Sequence, residues 1–162
     1  MLREVKISDA ARIAEIYNYY IENTIATFVK EKVSVEETEK RIAAILQKAY
    51  PYLVYEMGGM VAGYAYVNNW RPLSGYDITL ETTIYLDPRF TGNGAGSRLY
   101  AELIGRAKKR GIHSLIGVLS LPNDASRKLH AKMGFQLAGV FRETGWKFNR
   151  LIDVEFWQLR LD

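Results

Sequence analysis

Residues 79–107 read TLETTIYLDPRFTGNGAGSRLYAELIGRA, and the fold is decided here. The opening part, residues 79–86, is β-branched and apolar, the composition of a buried strand. Asp87-Pro88 ends it, because proline offers no amide to continue a ladder. Residues 89–96 form a loop with glycines at 92, 94 and 96. A helix follows to about residue 110, with Leu99, Leu103 and Ala107 on one face and Gly111 as its stop. A glycine loop feeding a helix N-terminus presents unpaired backbone N–H groups and the positive end of the helix dipole. That is an anion site, and a phosphate is its usual occupant. The loop is not a P-loop, since no Gly-Lys-Ser/Thr follows. Nor is it a dinucleotide fingerprint: its glycines run G-x-G-x-G, and no acidic residue stands about 20 residues on after a second strand.

Outward from this stretch the chain alternates readable elements. Val5-Lys6-Ile7 reads as a short strand, and Ser8-Asp9 as the cap of a helix to about residue 22. Ser34-Val-Glu-Glu37 has the form of a capping box opening a second helix to about residue 48. Residues 52–57 and 60–70 are strands joined by Gly58-Gly59, a hairpin signal. After the central helix come a strand over 115–121, a short helix over 124–133 stopped by Gly134, and a final hairpin of strands over 136–148 and 152–161. The order β-α-α-β-β-β-α-β-α-β-β, with no repeat or linker, predicts one α/β (α+β) domain over residues 1–162.

Composition narrows the function. The 162 residues suffice for one domain with a core, and 48% hydrophobic with 25% charged residues is ordinary for a globular protein. The absence of cysteine excludes disulfides and a thiolate nucleophile, and two histidines make a zinc site an unlikely use of the chain. The net charge of +4 is spread out; its one tight run, Lys108-Lys109-Arg110, ends a helix, where cations are favoured anyway. No nucleic-acid partner is expected, whereas a polyphosphate cofactor suits a modest positive field. With no leader and no apolar run of membrane length, the expectation is a cytoplasmic protein without a membrane partner.

The run Leu86-Asp87-Pro88-Arg89, then Thr91-Gly92-Asn93-Gly94-Ala95-Gly96, resembles the acetyl-CoA loop of the GNAT N-acetyltransferase superfamily, Q/R-x-x-G-x-G/A, with Thr91 where Gln or Arg is usual. A closer resemblance is scattered over nearly the whole chain. Ile16-Tyr17-Asn18, Ala26-Thr27-Phe28, Trp70-Arg71, Tyr76, residues 79–87, Gly145-Trp146-Lys147, Asp153 and Trp157-Gln158 look like the phosphinothricin and methionine sulfoximine acetyltransferase branch. The resemblance implies the GNAT fold, a single mixed and mostly antiparallel sheet flanked by helices. It implies acetyl-CoA as cofactor and a small amino-acid analogue as acceptor, acetylated on its α-amine by direct attack in a ternary complex. It also implies a homodimer.

Acyl transfer to an amine needs a base for the ammonium, an oxyanion site, and a proton source for the leaving thiolate. Glu81 stands in an otherwise apolar strand just before the loop; spacing alone leaves it either a base or an exposed, ion-paired edge residue. The family pattern T-x-E makes it the base. His130, on the short helix, reads as structural by itself; the resemblance makes it the acid or a thiol-positioning residue. For the cofactor the resemblance implies Thr91, Gly92, Asn93, Gly94, Ala95, Gly96 and Ser97 at the pyrophosphate, with Arg89 offering charge nearby. It implies Asn123 and Ser126 along the pantetheine arm, although Asn123 also reads as a helix cap. It further implies a backbone oxyanion donor near Ile84, Tyr85 and Leu86, on a strand that splays from the one over 115–121. The acceptor pocket is expected from Phe28, Trp70, Arg71 and Tyr76, with Arg71 as carboxylate clamp, and from Trp146 and Lys147 of the same or a neighbouring subunit. No metal is called for. Two other functions fit the same chain: a GNAT enzyme acting on a protein N-terminus, polyamine or aminoglycoside, and a non-catalytic CoA-binding sensor. An Arg71 clamp argues against cationic acceptors, and Glu81 with His130 argues against a sensor.

Overall fold

The computed structural model describes residues 1–162. Its elements are β1 (Leu2–Glu4), α1 (Ala10–Asn23), α2 (Val35–Gln47), β2 (Tyr52–Met57), β3 (Met60–Asn69), β4 (Thr79–Leu86), α3 (Ala95–Lys109), β5 (Ser114–Ser120), α4 (Asp124–Lys132), β6 (Gln136–Lys147) and β7 (Arg150–Arg160). The strands form one sheet in the order β1-β2-β3-β4-β5-β7-β6. Every neighbouring pair is antiparallel except β4–β5. This is the mixed, mostly antiparallel sheet flanked by helices that the resemblance implies.

The central strands are buried on both faces, which is why β2 and β3 read as nearly continuous apolar runs. On one face Leu53, Ala65, Val67 and Leu80 pack against Leu99, Tyr100, Leu103 and Ala107 of α3. On the other, Tyr52, Val54 and Tyr64 pack against Ile13 and Ile16 of α1 and Ile42 and Ile45 of α2. The alternation of β-strand side chains thus divides the core into two layers. Gly58 and Gly59 take φ of 57° and 78°, the left-handed values that a two-residue hairpin turn needs. No helix is long and apolar enough to cross a membrane.

Three local expectations change at the N-terminal side. The opening strand lies at Leu2–Glu4 rather than at residues 5–7. The Asp9 carboxylate accepts from the Lys6 amide at 2.7 Å and pairs with Arg3 at 2.8 Å, which winds Ile7–Asp9 into a 3₁₀ turn instead. Asp9 consequently makes no side-chain cap on α1. At α2 the Ser34 hydroxyl accepts from the Glu37 amide at 3.0 Å, but the Glu37 carboxylate pairs with Arg41 rather than closing the box.

Candidate active site

The parallel contact between β4 and β5 is short. It runs from Thr79↔Ser114 to Glu81↔Ile116 and stops there. Past that point β4 remains paired with β3 as far as Leu86↔Gly63, and β5 remains paired with β7 as far as Ser120↔Val154. The two strands diverge, leaving residues 82–86 and 117–120 with one unpaired edge each. The splay expected from the resemblance is therefore present, and Glu81 stands at its apex.

The gap opens a cavity of about 750 Å³, reaching from the glycine loop to Glu81. At the loop end the walls are Thr91, Gly92, Gly94, Gly96 and Ser97; along the gap they are Ile84, Tyr85, Leu86, Asn123, Ser126 and His130. Gly94, at φ of 81°, ends the loop and begins α3. Asn93 Oδ1 accepts from the Ala95 amide at 3.0 Å, so these two hold the turn rather than line the cavity. The amides of Gly92, Gly94, Gly96 and Ser97 have no partner in the chain. Four free N–H groups at a helix N-terminus fit a diphosphate, and the two unpaired strand edges fit the amides of a pantetheine arm. Arg89 does not face this cradle. Its guanidinium is drawn back onto Asp87 at 2.7 Å, and Asp87 also holds Arg12. The Arg89 guanidinium and amide, then Arg12, keep the Asp87 carboxyl well below the usual carboxylate range. The cation at the loop comes from elsewhere: Lys132 Nζ, from the end of α4, donates to Ser97 Oγ at 3.1 Å and lines the cavity. In sequence a lysine in a helix's last turn reads only as a partner of the dipole.

Asn123 caps α4 by accepting from the Ser126 amide at 3.1 Å, and its residue also faces the cavity. His130 is only 4% exposed. Its Nδ1 lies 2.8 Å from the Ser126 carbonyl, which can only accept, so Nδ1 carries the proton. Nε2 is then an acceptor and takes the Tyr100 hydroxyl at 3.0 Å, and Tyr100 in turn meets Thr82 Oγ1 at 2.6 Å. Burial pushes the imidazole pKa down, against the Ser126 carbonyl. A Cβ on Gly117 would overlap this ring, which explains the glycine in mid-strand. Thr82 falls within the stretch that carries the resemblance, but nothing in the sequence links it or Tyr100 to His130, because the fold makes that link.

At the other end, Glu81 is half-buried beside Tyr66, Thr83, Thr27 and Phe28. Burial raises its carboxyl pKa, and Arg71 partly opposes the rise. Arg71 is exposed, lies 4.4 Å over the Trp70 ring and has no carboxylate within ion-pair distance. Trp70 rests edge-on against Phe156 at 5.9 Å. Of the six residues expected around the acceptor, Phe28 alone lines the cavity; Trp70, Arg71 and the exposed Tyr76 lie outside its walls. Trp146 is 49% exposed and does not line it. Lys147 is corrected outright: its ammonium is buried within its own subunit under residues 24–27, so it reaches neither this cavity nor a neighbour's. Tyr17 and Tyr20, which sequence periodicity assigns simply to the apolar side of α1, line the cavity as well.

Such a cradle for a diphosphate, a split sheet and a carboxylate at the split define an acyl-CoA-using acyltransferase. The model of the acetyltransferase (GNAT) domain matches residues 2–156, and the chain belongs to this family. It is 37% identical over 157 residues to a phosphinothricin N-acetyltransferase of Streptomyces viridochromogenes, covering 97% of this chain and 85% of that protein. It is 36% identical over 158 residues to an L-methionine sulfoximine/L-methionine sulfone acetyltransferase of Salmonella typhimurium, covering 96% of this chain and 91% of that one. The solved structure of an acetyltransferase from Salmonella typhimurium with acetyl-CoA superposes with a TM-score of 0.97 at 34% identity, over 100% of this chain and 94% of that one. Acetyl-CoA is accordingly the cofactor of this enzyme.

Proposed function

We propose that this enzyme acetylates the α-amine of a small amino-acid analogue of the phosphinothricin, methionine sulfoximine or methionine sulfone type. The observation that carries the reading is a half-buried carboxylate, Glu81, at the apex of the split, with the uncommitted Arg71 guanidinium near enough to bias its ionisation. Relatives named for these acceptors, similar over almost the whole chain, support it.

Acetyl-CoA supplies an acetyl group already activated as a thioester. The free amides of Gly92, Gly94, Gly96 and Ser97, with Lys132, would hold its diphosphate, and the open edges at residues 82–86 and 117–120 its pantetheine arm. Glu81 takes the proton that the acceptor's ammonium must lose, directly or through one water. A raised pKa makes it a stronger base. An amide of β4 near Ile84–Leu86 stabilises the developing oxyanion. With Nδ1–H given to Ser126 and Nε2 accepting from Tyr100, His130 has no free proton to donate. Of its two candidate roles, positioning the thiol end is therefore the one we assign. Arg71 would fork onto the acceptor's carboxylate.

Thiol release from acetyl-CoA tests this reading against a panel of methionine sulfone, methionine sulfoximine, phosphinothricin, a polyamine, an aminoglycoside and a peptide N-terminus. Turnover confined to the first three supports it; turnover confined to the others discards the acceptor. Arg71→Ala is expected to raise the acceptor's KM by about tenfold or more, the loss of a charged hydrogen-bonded contact, with the cofactor's KM unchanged. Because Arg71 lowers the Glu81 pKa, the acid limb of the pH profile should also move to higher pH. Equal kinetics and an unmoved limb would sink the clamp.

We also read the enzyme as a homodimer. The β6–β7 hairpin exposes Phe141, Trp146, Phe148 and Leu151 together, an apolar edge that a second copy would cover. Sedimentation at micromolar concentration should give twice the 18.5 kDa chain mass, and Phe141→Glu should halve it. A monomer at that concentration refutes this reading.

A further inference from the structure

Lys147 is 3% exposed, yet its ammonium is met by backbone carbonyls and by no carboxylate. Its Nζ donates to the carbonyls of Thr24 at 2.6 Å and Thr27 at 2.8 Å, and lies 3.5 Å from that of Tyr20. Tyr20 belongs to the last turn of α1 and Thr24 caps it, so these are carbonyls at the negative end of a helix. Three acceptors match the three donors of an ammonium. The lysine projects from the last residue of β6, on a distant part of the sheet, and bolts the segment after α1 down onto that strand.

The bolted segment matters because of what it carries. Ala26, Thr27 and Phe28 line the cavity on the sheet face that bears Glu81, Tyr66 and Tyr85. The rest of their anchorage is thin. Tyr17 meets Thr27 Oγ1 at 2.9 Å, Tyr85 donates to the Ala26 carbonyl at 3.2 Å, and the Phe28 ring lies on Gly145, where any Cβ would overlap it. No hydrogen bond joins residues 26–28 to the glycine loop. We propose that Lys147 is a positioning residue for the acceptor: its ammonium sets the wall formed by residues 26–28, and so governs use of the acceptor but not of acetyl-CoA.

This rests on the acetyl-transfer reading above, and the test separates the two. Wild-type enzyme must first turn over one of the three amino-acid analogues; if it turns over none, the reading and this inference fall together. Lys147→Met keeps most of the volume and leaves the carbonyls unpartnered. It should raise the acceptor's KM at least about tenfold, in line with ångström-scale misplacement of a substrate, while CoA affinity, measured by calorimetry, stays at the wild-type value and reports a folded cofactor site. Lys147→Arg retains the charge in a planar fork and should fall between the two. Should the Met variant not fold, the Arg variant decides, combined with Phe28→Leu: if Lys147 acts through the wall, the two effects on acceptor KM are less than multiplicative. An unchanged acceptor KM, equal losses for acceptor and CoA, or fully multiplicative effects would each overturn the inference while leaving the acetyl-transfer reading in place.

Discussion

Replacing Glu81 by Gln is expected to lower kcat by about 10²-fold or more, the usual weight of a general base, with CoA affinity retained. The same substitution should raise the melting temperature at neutral pH. The sign follows from the raised pKa of Glu81. A carboxyl whose pKa is higher in the folded than in the unfolded chain stabilises the fold while protonated, and that contribution is lost as pH rises through the folded value. Above that value the wild type carries a half-buried charge that desolvation penalises, and glutamine does not. The stability gap should close as pH falls below the ordinary range of glutamate. Rate measurements and thermal scans from pH 4 to pH 8 check both halves. Undiminished turnover would remove Glu81 from the mechanism; a lower melting temperature in the variant at neutral pH would mean that its carboxylate is stabilised by partners rather than strained by burial.

Gly94→Val should weaken cofactor binding roughly 10²-fold. The residue sits at φ of 81° with nothing within 4 Å of where a Cβ would stand, so a side chain there would project into the open space at the loop and not into the core. A β-branched side chain is strained at that φ by about 1–2 kcal/mol. It would also stand over the free amides. Losing two charge-assisted hydrogen bonds at about 1.5 kcal/mol each corresponds to an affinity loss of roughly 10²-fold. Gly94→Ala, with the same backbone strain and less bulk, should lose less. Acetyl-pantetheine, which has no diphosphate, should be used equally by wild type and the Val variant. Normal CoA binding in Gly94→Val would refute the loop assignment.

The parts of this design that are legible in sequence are those written in local chemistry. The strand at residues 79–86, the glycine loop and the helix after it are marked by β-branching, by φ-permissive residues and by an apolar face, and all three fall where the residues put them. Glu81 is legible as a charge in an apolar strand. What depends on distant partners is not. Asp9 looks like a cap but is taken by Arg3 and the Lys6 amide. Arg89 looks like a phosphate ligand but is taken by Asp87. Lys147, beside a tryptophan in a terminal hairpin, looks like a pocket cation, yet three carbonyls some 120 residues earlier consume it. Lys132 shows the converse: nothing in its local sequence says that Ser97 will lie beside its ammonium. In each case the side chain's chemistry was readable and its partner was not, because the partner is supplied by topology.

The short junction between β4 and β5 has a mechanical meaning. Only three residue pairs join β1–β4 to β5–β7, so the sheet is two half-sheets sharing a hinge. A ligand lying in the opening and bonded to both free edges would act as a borrowed strand that welds the halves. Cofactor binding then belongs to the folding of this protein as much as to its chemistry: at saturating acetyl-CoA the melting transition should be higher and the two halves should unfold as one.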